Sequence, residues 1–237
     1  MASDIPHLRE APSVLRLGHT EADAVLKGGV RRGALHEVFA VASHEASAIG
    51  FATGLALRLA EKRPLLWIGQ NFAAQEHGGL CPTGLFEFGL DPSRLICLSV
   101  AQAQDGLRAA GDALTCASLG ALIIEVTGSP KILDLTASRR LVLACEHHGV
   151  PAILLRLNAV PQTSAAETRW LVKAASSTDA GENWGQPVFD ASLIRNRMGR
   201  LGQFVFAWSC DDACFEDAET AFGTVVSKTF DRQAEAA

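Results

Sequence analysis

The sequence predicts an α/β fold: a mostly parallel sheet with helices on both faces and an antiparallel extension at its C-terminal end. Three observations lead there. Apolar strand-like runs alternate with helix-length segments from residue 34 to 157, and strands that alternate with helices return by right-handed crossovers into a parallel sheet. The run ALIIEV at 121–126 is apolar at nearly every position, as in a central parallel strand buried on both faces. Beyond residue 165 the helical pattern stops, and strand-like runs joined by short turns replace it.

Taken in order, residues 1–16 read as a loosely held, flexible arm. ALHEVF (34–39) is a short strand, and SAIGFATGLALRLAEK (47–62) a helix. Phe51, Leu55 and Leu59 share one face of it, while Gly50 and Gly54 allow close packing. Pro64 stops that helix and PLLWIG begins the second strand. The stretch 70–90 is loop-rich, with HGGLCPTG as an exposed loop, and LICLSV (95–100) is the next strand. A helix over 105–120 is expected to close on Gly120, a common C-cap choice. After ALIIEV come a helix at 133–149, again ended by glycine, and the strand VPAILLRL at 150–157. TRWLVKA, PVFDASLIRNRMG and GQFVFAWS then form the antiparallel extension. The organisation expected is an arm (1–16), one α/β domain (17–210) and an acidic, then weakly amphipathic tail (211–237).

Composition narrows the function classes. Of 237 residues, 48% are hydrophobic and 20% charged, enough for a buried core and against global disorder. A formal net charge of -5 argues against a protein that coats nucleic acid by charge alone. The N-terminal MASDIPHLRE has no basic stretch followed by an apolar run, so secretion is not expected. No segment approaches the roughly 20 apolar residues of a membrane span. Six cysteines without framework spacing read as reduced thiols of a cytoplasmic protein.

EVFAVASHEASAI (37–49) lies between a strand and a helix, where a nucleotide-binding protein keeps its phosphate loop. Such a loop needs glycines whose N–H groups wrap the phosphates, a lysine for the β/γ-phosphates and a Ser/Thr hydroxyl for Mg²⁺. With G-x-x-x-x-G-K-[ST] laid over it, Ala40 takes the first glycine, Glu45 the second and Ala46 the lysine; only Ser47 fits. One unit-charge pair at about 4 Å is worth roughly 4 kcal/mol at an effective dielectric near 20. Losing lysine and gaining Glu45 therefore turns attraction into repulsion at a polyanion, and the side chain at Glu45 blocks the close approach that glycine permits. A βα turn without any ligand accounts for the same residues nearly as well.

GGVRRGALHEVF (28–39), this loop, WIGQN, GLDPSRLICLSV, ALIIEV and the R-N-R turn together resemble the RecA recombinase core from about residue 14 to 210. More closely, the chain resembles the ImuA family, the RecA-like and SulA-related proteins of bacterial error-prone repair cassettes. The segments G-G-V-x-x-G-A-L-H-E and L-I-R-N-R-M-G-R-x-G-x-F-V carry that likeness. The RecA resemblance places Asn71 where a carboxylate would activate water, and Glu125 at the Walker-B position. It places Leu157 or Asn158 at the γ-phosphate sensor, and Arg195 and Arg197 where basic residues reach across a subunit boundary. What the resemblance implies is a pseudo-ATPase without a cofactor. Its place would be DNA-damage-induced (SOS) translesion synthesis and mutagenesis, as an adaptor for an ImuB-type Y-family polymerase homologue. RecA and the error-prone replicative-type polymerase are further partners on this reading. The counterparts of the two DNA-facing loops are TGSPKILDL and NAVPQTSAAETR, the second carrying Arg169; direct DNA contact stays open. Two alternatives also stay open, an ATP-binding recombination or repair ATPase with an atypical loop, and a SulA-like inhibitor of cell division.

Other constellations favour plain structure. Cys145-Glu146-His147-His148 ends a helix, where histidine suits the dipole, and no second Cys/His pair gives it zinc spacing; no metal is expected. Cys210 and Cys214 have no histidines nearby in sequence, and Ser47 lacks the glycines of a nucleophile elbow. Arg195, Arg197 and Arg200 crowd a strand end, with Arg139 and Arg140 on a helix. They are either a solvated surface or a contact for a partner or DNA. In the tail, Phe222, Val225, Val226 and Phe230 would line one helix face. That face docks on its own domain or in a partner's groove.

Overall fold

The computed structural model describes residues 13–72, 78–177 and 185–218. A nine-stranded sheet organises them in the order β11-β10-β9-β8-β3-β7-β6-β4-β5. Its strands are β3 (Leu35–Ala40), β4 (Leu65–Gln70), β5 (Leu95–Val100), β6 (Ala121–Thr127), β7 (Ala152–Leu157), β8 (Thr168–Ala174), β9 (Val188–Asn196), β10 (Gly202–Ser209) and β11 (Cys214–Asp217). From β8 to β5 the neighbours are parallel, and from β8 to β11 they are antiparallel. The parallel sheet and the antiparallel extension both match the sequence reading.

Helix α2 (Glu45–Ala60) covers one face. Phe51, Leu55 and Leu59 are fully buried as expected, and so are Ala48, Ala52 and Ala56 on its other sides. Small residues let it sit close against the sheet. The Phe51 ring meets Trp170, Phe206 and Phe215 at centroid distances of 5.4, 5.4 and 5.1 Å. A Cβ at Gly54 would stand 2.8 Å from Trp208 Cζ3 and 2.9 Å from Phe215 Cζ. Gly54→Val is therefore expected to cost about 1–3 kcal/mol through overpacking, read as a lower urea midpoint at unchanged slope. The opposite face is covered by α4 (Ala103–Ala113) and α5 (Leu135–His148), over a second core that includes Ile68, Leu122, Ile124 and Leu154. Gly149 caps α5 in the left-handed conformation, φ 72°.

Four details depart from the sequence reading. The helix expected to run to Gly120 ends at Ala113, where Thr115 Oγ1 bonds the Asp112 carbonyl. Gly120 instead lets β6 pass the end of α2, since a Cβ there would lie 2.7 Å from Ala60 Cβ. The supposed loop HGGLCPTG turns helical at its end, as α3 (Pro82–Glu87) with proline in its first turn. The last part of the arm is held: β1 (Val14–Leu15) pairs with β2 (Val30–Arg31), and Leu17 is fully buried. That pairing explains the paired glycines before Val30, because a Cβ at Gly29 would sit 2.0 Å from the Leu15 carbonyl oxygen. Finally, β11 continues the sheet past residue 210. Asp217 at its end accepts from Thr20 N and Oγ1 at 3.0 and 2.7 Å, ahead of α1 (Thr20–Val25).

Candidate functional site: a cleft at the strand ends

β3 delivers the chain to Ala40, at the carboxyl end of the parallel strands, and α2 begins five residues later at Glu45. Between them the backbone is engaged by its own fold. Val41 N donates to the Val172 carbonyl at 2.9 Å and His44 N to the Val41 carbonyl at 2.9 Å. Ala174 N donates to His44 Nδ1 at 3.1 Å, fastening the turn to the end of β8. Ser43 takes a positive φ of 65°. The Val41 and His44 amides are thus taken up within the fold, whereas a phosphate loop directs its amides at a ligand.

The turn borders a cleft of about 1460 Å³. Ala40, Glu45, Ala46 and Ser47 form one wall, Gln70, Glu125 and Thr127 the floor, and Leu157 and Asn158 a further side. Leu80, Leu85, Phe88 and Phe189 close it with apolar surface. Trp67 Nε1 donates to Glu125 Oε2 at 2.9 Å, and Thr127 N donates to Gln70 Oε1 at 3.1 Å. The floor groups are thus partly committed to one another. Glu45 and Glu125 are the only charged side chains among the described lining residues, with no lysine, arginine or histidine. Among the described lining residues a polyanion would meet two carboxylates and no basic side chain.

The positions singled out in sequence separate in space. Glu45, Ala46, Ser47, Glu125, Leu157 and Asn158 share the cleft, whereas Asn71 and the arginines 195, 197 and 200 do not line it. Arg195 lies on β9, paired in register with Arg169. Exposed Arg197 donates its backbone N–H to the Glu167 carbonyl at 3.0 Å. Arg200 borders a small hollow of about 330 Å³ with Glu21, Leu201 and Phe204. Arg169 is no loop residue: it is buried, with Nε 2.7 Å from Glu37 Oε2. Phe222, Val225, Val226 and Phe230 lie outside the described residues.

Cys145 is buried, and burial pushes its thiol up to about 12. Its neighbour Glu146 pairs with Arg31 at 3.3 Å, and the His147 ring stands edge-on to His148. No cluster of three or more metal-ligating side chains occurs among the described residues. Burial also raises the Cys210 and Cys214 thiols, which flank the β10–β11 turn. Sequence reasoning missed the apolar wall of the cleft and the Trp67–Glu125 bond. The bond had a signal, since Trp67 and Glu125 stand on expected strands at similar distances from their ends. The wall had none, because its residues are scattered from 80 to 189.

No protein-family model matches the chain. Two curated relatives, each named Protein ImuA and from two strains of Caulobacter vibrioides, are 27% identical over 215 residues. The alignments cover 83% of this chain and 84% of each relative. Among solved structures, that of the RadB recombinase superposes with a TM-score of 0.60 at 18% identity. It covers 87% of this chain and all of that one, a likeness of fold.

Proposed function

We propose that the chain, 27% identical to the ImuA relatives over 83% of its length, is a member of that family and a non-catalytic RecA-like adaptor in DNA-damage-induced translesion synthesis. It binds an ImuB-type Y-family polymerase homologue and acts on RecA through a related surface. The observation that carries this reading is the charge of the cleft: where the fold would hold a triphosphate, the described lining has two carboxylates and no cation. The inward-bonded turn before α2 supports it.

The test is titration of the full chain with the purified ImuB-type homologue and with RecA, each with and without ATP–Mg²⁺. The expected result is binding to the ImuB-type protein with a Kd that nucleotide changes by less than about twofold. Binding to neither protein, or binding that requires ATP, overturns the proposal.

A further inference from the structure

We propose that the protein forms a two-fold dimer through the free edge of β5, which pairs antiparallel with β5 of a second copy and joins the two sheets into one. The described sheet has two edges, and only one of them is guarded. β11 is four residues long, ends in Glu216 and Asp217, and has Asp217 tied to Thr20. Pairing with its own copy would bring carboxylates together. β5 reads LICLSV, without a charge, proline or glycine, and pairs with β4 at all six positions without a bulge. Charge, proline and bulges are the devices that keep edge strands apart, and β5 has none of them. Arg94, the cation just before it, is turned back onto the Glu61 and Arg63 carbonyls. Among the described residues only β4 pairs with β5, and its four central residues are exposed, Ile96 at 54% and Leu98 at 39%.

A second copy fits this edge because the edge is neutral and complementary to itself. A two-fold axis normal to the sheet keeps each face on its own side, so even-numbered residues of β5 meet even-numbered ones and odd meet odd. Ile96 and Leu98 lie in register with Leu66 and Ile68, on the face covered by α4. Cys97 lies in register with Trp67, on the cleft face. With Cys97 on the axis, Ile96 of each copy stands opposite Leu98 of the other, and the two Cys97 side chains face each other. No charge meets its like, and each copy covers the other's two exposed apolar side chains.

The test is sedimentation equilibrium of the full chain over a concentration series, with cross-linking by a short bis-maleimide read by mass spectrometry. The native protein is expected to reach the mass of two 25.1 kDa chains at about 50 µM. The reagent is expected to join exposed Cys97 to Cys97, a link that only two chains can make. Ile96→Lys/Leu98→Lys sets lysine opposite lysine at both paired positions and is expected to raise the dimer Kd at least about tenfold. Ile96→Glu/Leu98→Glu is expected to do the same. Mixed one to one, the two variants set lysine against glutamate and are expected to recover a dimer with one chain of each. The substituted side chains are exposed, and a thermal melt verifies that each variant folds. A monomer mass throughout the series overturns the inference and leaves the edge to a strand of another protein. A dimer that both charged variants keep at native strength, or a mixture no tighter than its components, also overturns it. So does a native dimer without the Cys97–Cys97 link, since the two chains then meet elsewhere; that link decides the matter even where a variant fails to fold.

Discussion

Glu37→Leu is expected to destabilise the protein by about 3–5 kcal/mol, because it strands buried cations without a counter-charge. Glu37 is 1% exposed and Arg169 9%. Arg156, 3% exposed, donates to the Gly128 carbonyl at 3.1 Å. Both guanidinium carbons lie over the Phe39 ring, at 5.5 and 5.6 Å from its centre. Burial holds the Arg156 pKa below its ordinary range, while the charge of Glu37 works in the opposite sense. One carboxylate on β3 thus steadies two desolvated guanidiniums, on β7 and β8. Equilibrium urea unfolding measures the loss. The double variant Glu37→Leu/Arg169→Leu is expected to lose less than Glu37→Leu alone, since it removes one of the stranded charges. A loss under about 1 kcal/mol for Glu37→Leu would contradict this electrostatic account.

The second large effect is a pH dependence centred on His36. Its side chain is fully buried, and desolvation brings its pKa from 6.5 to about 4. The hydrogen bonds around it fix the proton positions. Trp170 Nε1 donates to Thr168 Oγ1 at 3.1 Å, and Thr168 lies 2.8 Å from His36 Nδ1. His36 Nε2 is 2.9 Å from the Arg31 carbonyl, which can only accept. Nε2 therefore carries the ring proton, and Nδ1 accepts the threonine hydroxyl. Protonation of Nδ1 would take that acceptor away from the threonine hydroxyl and place a charge on a fully buried ring. Because the folded pKa is depressed, between pH 6.5 and about 4 the unfolded chain binds a proton that the folded chain refuses. Stability is complete above pH 6.5 and falls as pH drops, by up to about 1.4 kcal/mol per unit and about 3 kcal/mol in all. Urea unfolding at a series of pH values should show this slope in the native protein and a shallower one in His36→Gln. Equal slopes in the two would mean that His36 is not the group responsible.

Local pattern carried most of the sheet. The runs at 95–100 and 121–126 became β5 and β6 with bounds within one residue: in β6 the apolar run agrees with burial, whereas β5 is a largely exposed edge strand that follows its local apolar and β-branched pattern. Where the reading failed, a long-range contact had overruled a local signal. Gly120 resembles a helix cap, yet it serves the passage beside Ala60. Cys214–Asp217 is too short and too acidic to read as a strand, and it forms because β10 offers an edge and Thr20 holds Asp217. Arg169 looked like part of an exposed loop, since its partner Glu37 lies 132 positions away. The missing lysine and glycines of the turn were plain in sequence, because that motif is contiguous. The apolar side of the cleft is assembled only by folding, from residues scattered between 80 and 189.

The most direct test of the central claim is a thermal melt of the purified chain in millimolar ATP–Mg²⁺, run beside an ATP turnover assay. A ligand that binds only the folded state at 100 times its Kd adds about 2.7 kcal/mol of stability, which would raise the melting temperature by several degrees. The account predicts no shift and no turnover above the buffer rate. A clear upward shift, with turnover that Ser47→Ala or Glu125→Ala abolishes, would contradict it and make the cleft a working nucleotide site.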